Sequence, residues 1–217
     1  MPTSSRRGTW FTLACVLLLG LFLVRNGAGG ASGGPPQPGA AAAHKSVADP
    51  LPAAPGPLPH SPPRRIAVPS LRVDAPLTEV GLDADGWVDA PPLENSNLAG
   101  WYRGAVSPGE RGTSVVVGHV DNSAGPAVFY SLGSLQRGSR IEILRGDGRT
   151  AVFAVYAVQV FAKKSFPAER IYRDTPRPEL RVITCGGGYT KETGYDGNVV
   201  ASARLTEVRR GPAEAPR

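Results

Sequence analysis

Two apolar runs of this chain end in residues able to do covalent chemistry: "VVVGHVD" carries His119, and "LRVITCGGGY" carries Cys185 ahead of three glycines. From Arg64 onward they are the only histidine and the only cysteine. A thiol nucleophile needs an acid or base partner and donors for a developing oxyanion. The imidazole supplies the first, and backbone amides at Gly186, Gly187 and Gly188, residues that tolerate positive φ, offer the second. The same scarcity rules out a disulfide within this region, a zinc site built from Cys and His, and a C-x-x-C redox pair. No cluster of Asp and Glu makes a calcium site, so neither metal nor cofactor is expected. Three readings of Cys185 stay open: a small buried apolar residue, an oxidation-prone lone thiol, or a nucleophile. In a regular strand Arg181, Ile183 and Cys185 share one face, with Arg181 about 13 Å from Cys185 along the strand. Arg181 is then either a cation for a peptide lying in the same groove or a solvated face residue.

The elements that would hold these residues are short and extended. "TSVVVGHV", "LRVITC" and "NVVASARLTEV" have the look of strands. "SRIEILRG" and "TAVFAVYAVQVFA" flank a "GDG" turn suited to a hairpin. "RIAVPSLRVDAPLTEVGL" divides into extended pieces broken at Pro69 and Pro76. Helix is confined to one or two short segments, "GPAVFYSLGSL" and "PAERIYRD". The expected class is all-β, a sandwich or closed barrel.

Upstream the composition changes. Residues 1–25 hold the uncharged run "WFTLACVLLLGLFLV", which with Gly8 and Thr9 reaches about 17 residues, the lower limit for a membrane span. Arg6 and Arg7 precede it, so the amino terminus is expected in the cytoplasm and the rest outside, on a single-pass plasma-membrane anchor. The small residues "GAGGASGG" that follow also suit a cleaved signal, which would release a secreted protein; the anchor is the favoured reading. Residues 26–63 are mostly Gly, Pro and Ala and are expected to form a disordered tether, with His44 and His60 as solvated spacers. Residues 64–208 form the domain, and 209–217 a loose tail. The net charge of +6 comes mainly from arginine. Without a basic stripe interleaved with aromatics it does not indicate nucleic acid.

In order along 64–208, "AGWYRGAVSPGERGTSVVVGHVD", "GPAVFYSLGSLQRGSRIEILRGDG", "LRVITCGGGY" and "YDGNVVASA" resemble the sortases, cysteine transpeptidases of Gram-positive surfaces, and are most similar to class F, the actinobacterial type. The resemblance implies a closed eight-stranded β-barrel with a catalytic Cys, His and Arg. By it, Cys185 attacks the Thr–Gly carbonyl of a C-terminal LPXTG-like sorting signal on a secreted protein and forms a thioacyl enzyme. His119 then serves as general acid and base, and a cell-envelope amine, from a cell-wall precursor or peptidoglycan, accepts the acyl group. The family's arginine lies about thirteen positions beyond the cysteine, where this chain has Asn198; Arg204 lies further along. Either Asn198 donates to the oxyanion as a neutral amide, or Arg181 reaches in, and the value of a cation favours Arg181. A secreted cysteine peptidase and a catalytically weak envelope-binding barrel are the alternatives; an L,D-transpeptidase lacks its H-G-C-type motif here.

Overall fold

The apolar runs pair into a closed barrel of eight strands in the order β1-β2-β3-β4-β9-β10-β8-β7, with β7 returning to β1. The computed structural model describes residues 16–17, 34–39, 42 and 55–210. Its contacts divide the chain into Met1–Gly34 and Pro35–Arg217, and the barrel belongs to the second unit. Of the apolar run Trp10–Val24 only Val16 and Leu17 are described. Among the described residues no helix is long and apolar enough to cross a membrane.

The strands are β1 (Pro63–Val68), β2 (Val73–Val80), β3 (Ala99–Tyr102), β4 (Gly112–Val117), β5 (Asp121–Asn122), β6 (Gly125–Pro126), β7 (Arg140–Arg145), β8 (Arg149–Ala162), β9 (Pro178–Thr190) and β10 (Gly194–Arg210). The two-residue strands β5 and β6 pair only with each other, as a small ribbon. Among the described residues 55–210, helix is limited to α1 (Ala168–Tyr172) and three 3-10 turns. The expected all-β class, the "GDG" hairpin between β7 and β8 and the shortness of the helices all hold. Pro76 breaks nothing: it sits inside β2. Its pairing to β1 ends at Arg65–Pro76 and its pairing to β3 starts at Leu77–Ala99. A residue without an N–H is tolerated where one ladder hands over to the next.

Strand alternation makes two apolar layers. Val116, Val182, Val199, Ala201 and Leu205 point into the barrel with Phe129 and Phe153. Their neighbours Val115, Val117, Ile183 and Val200 point outward into a second layer with Ile171 of α1. Strand β4 is therefore buried along its whole length, which is why Val115–Val117 run on without polar alternation. This covered outer face of β4, β9 and β10 is the floor on which the site is built.

The Pro-rich segment before β1 engages the barrel. Leu58 N–H donates to Gly109 O at 2.8 Å. The Arg145 guanidinium, its side chain 0% exposed, donates to the carbonyls of Pro59 and Pro108 and pairs with Asp147. Ser61 closes the knot, donating its N–H to Ser107 Oγ and accepting from Asp147 N–H. Further upstream Ala42 is buried in the main core, and the Gly187 amide donates to Gln37 Oε1 at 3.4 Å. Parts of the stretch expected to be tether are thus packed. At the other end Arg209 pairs with Glu142 at 2.7 Å, so β10 holds two residues expected in the tail.

Candidate active site

Strands β4 and β9 run parallel with Val117 opposite Ile183. Continuing that register two residues brings His119 and Cys185 to the same end of the pair, on the outward side that Val117 and Ile183 share. The two strand ends are fastened to each other. Gly118 N–H donates to Ile183 O at 3.2 Å, and Thr184 Oγ–H donates to Gly118 O at 2.8 Å. A parallel pair needs a long crossover, and here the connection brings residues 66 positions apart into hydrogen-bond contact.

Both side chains line a cleft of about 590 Å³ with Asn198, Lys163, Trp87 and Tyr172 among its other walls. His119 Nε2 lies 2.7 Å from Pro91 O. A carbonyl only accepts, so Nε2 carries a hydrogen and Nδ1 is the nitrogen left to exchange a proton with the cleft. Cys185 is partly exposed. Burial pushes its thiol above the ordinary range, Lys163 pulls it down, and Asp121 pushes it further up. Asp121 itself accepts a hydrogen bond from Tyr195 Oη.

The sign of the Asp121 effect gives an expected outcome. A raised thiol pKa means less thiolate near neutrality, so iodoacetamide should modify Cys185 more slowly than an exposed thiol titrating near about 8.5. Asp121→Asn removes a negative charge that opposes ionisation. It is expected to shift the pH–rate midpoint of alkylation downward and speed the reaction near neutrality by about two- to three-fold, a half-exposed charge pair being worth under about 1 kcal/mol. Alkylation followed at the Cys185 peptide by mass spectrometry checks it.

The other two sequence candidates part company. Asn198 lies directly opposite Cys185 across the β9–β10 ladder and lines the cleft. Arg181 shares the face of Cys185, as parity predicts, but it is 6% exposed and is not a wall of the cleft. Its guanidinium donates to Glu179 Oε2 at 2.7 Å and lies over the Tyr156 ring at 5.8 Å. Arg204 stacks on the same ring at 5.4 Å and approaches Glu179 at 3.7 Å. Tyr156 Oη donates to Glu179, and burial together with the Glu179 carboxylate lifts its phenol to about 12. Glu179 is the partner that Arg181 was not assigned from sequence, although a residue two positions away on a strand always shares its face.

The triglycine is strand rather than loop. Gly186 pairs with Gly197 in the β9–β10 ladder. A Cβ on Gly186 would stand 2.5 Å from Val199 Cγ2, so close packing requires glycine there. Gly187 takes φ of 84°, where β10 shifts register. The Gly188 amide is committed to Asp196 Oδ1 at 2.7 Å, leaving it no part in an oxyanion site. Among the described residues no group of His, Cys, Asp and Glu could hold a metal ion. Sequence reasoning passed over Lys163 and Lys164, whose adjacency at the end of a long apolar run was the available signal.

Residues 66–206 match the family described as Sortase domain. The chain is similar in structure to the SrtA sortase of Actinomyces oris, at 21% identity, a TM-score of 0.53 and coverage of 79% of this chain and 95% of that one. It is also similar to sortase A of Listeria monocytogenes (19% identity, TM-score 0.51, covering 70% and 91%). A third similar structure is a lid mutant of sortase A from Corynebacterium diphtheriae (17%, 0.52, covering 72% and 75%). At these identities the solved structures attest the fold. A comparison with curated protein sequences finds no significant match.

Proposed function

The chain belongs to the sortase family, and we propose that this cysteine transpeptidase cleaves an LPXTG-like sorting signal and passes the acyl group to a cell-envelope amine. The observation that carries the reading is that one imidazole and one thiol, at the same end of the β4–β9 pair, both line one open cleft. Cys185 Sγ bonds to the signal's Thr carbonyl carbon while its proton passes to His119. The tetrahedral intermediate then collapses, the Thr–Gly C–N bond breaks, and His119 protonates the departing amine. The incoming amine repeats the sequence in reverse, giving its proton to His119 and releasing the thiol. No cofactor is needed. The apolar wall of Trp87, Val88 and Tyr172 suits the apolar residues of such a signal.

Asn198 is the better assigned of the two candidates for the oxyanion, because Arg181 is held by Glu179. The order of the "GHVD", "ITCGG" and "NVV" motifs supports a class F type. The apolar run at Trp10–Val24 supports a membrane anchor with the domain outside the cell.

The experiment is to incubate the full chain with an LPXTG-type peptide library and an amine acceptor. Amine-dependent ligation is the expected product, reduced by about 10²–10³-fold in Asn198→Ala if that amide holds the oxyanion. Cleavage without transfer under saturating amine would show a peptidase, and absence of any acyl-enzyme would show a binding barrel; either result overturns the proposal.

A further inference from the structure

We propose that the Lys163 ammonium is the cation of this cleft, stabilising the Cys185 thiolate and the oxyanion that forms when it attacks. The inference rests on the transpeptidase reading and adds a residue to it. Attack on a peptide carbonyl places a full negative charge on oxygen, and preorganised positive charge in a partly dry cleft is the most effective way to stabilise it. Asn198 is neutral. Arg181 and Arg204 are gathered around Glu179. Among the residues that line the cleft, the permanent cations are Lys163 and Lys164.

The strand register shows how Lys163 gets there. Phe161, Asn198 and Cys185 form one row across β8, β10 and β9. Ala162, Gly197 and Gly186 form the next. Lys163 follows immediately, where β8 gives way to the 3-10 turn Lys163–Ser165. Two glycines therefore lie between it and the cysteine, and no intervening side chain on β10 or β9 blocks a flexible four-carbon stem from leaning toward the thiol. A Cβ at Gly197 would already stand 2.9 Å from Phe161 O.

The charges around the thiol agree with this assignment. Lys163 is the group that draws the thiol's ionisation down against burial and Asp121. The other titratable groups on the cleft walls are Asp83 before β3, His119 after β4, Lys164 on the same turn and Tyr172 of α1. Asp121 stands on β5.

The test uses the full chain with Lys163→Met, Lys163→Arg and, as control, Lys191→Met, an exposed lysine that is not a wall of the cleft. Two readouts are taken: the pH profile of iodoacetamide alkylation at the Cys185 peptide, and the single-turnover rate of acyl-enzyme formation. In Lys163→Met the alkylation midpoint should move up, and acylation should fall by about 10–100-fold, below the loss of about 10²–10³-fold seen when a direct oxyanion donor is removed. Lys163→Arg should keep both, and Lys191→Met should move neither. A Lys163→Met protein with the wild-type midpoint and acylation rate overturns the proposal, as does a shifted midpoint with unchanged acylation. The alkylation readout needs no peptide, so the wild type's failure to acylate would sink the transpeptidase reading while the midpoint still decides whether Lys163 acts on the thiol.

Discussion

Cys185→Ala is expected to lose acyl-enzyme and ligation product together, by at least about 10⁴-fold, because deleting a covalent nucleophile removes the reaction path itself rather than one stabilising contact. The fold should survive. The side chain is only partly buried and the substitution removes one sulfur, so the melting temperature should move by about 2–4 °C or less, the size of a 1 kcal/mol change in a domain this large. His119→Ala should cost about 10²–10⁴-fold, the usual value of a positioned acid or base. The double variant should be no worse than Cys185→Ala, because the imidazole has no proton to move once the thiol is gone. Intact-mass detection of the thioacyl species, product chromatography and circular dichroism decide the matter. Residual ligation in Cys185→Ala comparable to wild type would reassign the nucleophile.

Arg145→Met is expected to be the most destabilising of the substitutions considered. The arginine is fully enclosed and its guanidinium serves Pro59 O, Pro108 O, Ser107 Oγ and the Asp147 carboxylate at once. Methionine fills part of the volume but leaves two carbonyls without this donor and takes away one of the two arginines beside the Asp147 carboxylate. Leaving a buried acceptor without its donor costs about 1–3 kcal/mol, and urea denaturation would measure it. Asp147 adds a pH signature. Burial opposes its ionisation, yet hydrogen bonds from Arg145 and from the Arg149 amide hold its carboxyl below the ordinary value. A depressed folded-state pKa stabilises the fold above the unfolded value of about 3.9 and loses that contribution as the pH falls through the folded-state value. Arg145→Met should flatten this acid-side loss. Activity measured well below the melting temperature should change little, since the knot is absent from the cleft.

The strands were legible in the sequence for a physical reason: β periodicity is local. The candidate pair came from scarcity, since a domain with one thiol and one imidazole leaves little choice of partners. Parity also put Arg181 on the face of Cys185. What it could not show was the preference of that guanidinium for Glu179, since a face says where a side chain points and not which neighbour holds it. The adjacency of Lys163 and Lys164 marked the position, but its nearness to the cysteine was not legible, because that depends on three strands in register, a relation spread over β8, β9 and β10. The segment before β1 was judged by composition alone. Its carbonyls nonetheless serve as acceptors for Arg145, a long-range contact that no composition reports.

The parallel pairing of β4 with β9 carries a consequence for the newly made chain. His119 lies on one side of a crossover and Cys185 on the other, and Thr184 meets Gly118 only after the intervening residues have found their places. Contacts of such sequence separation form slowly, because the closure entropy is spent before the pairing returns anything. Until then the thiol has neither its imidazole nor its cleft. On the transpeptidase reading the polypeptide therefore cannot acylate while it is folding, and Cys185 meets the rest of its site through the same pairing that joins the β4 side of the barrel to the β9–β10 hairpin.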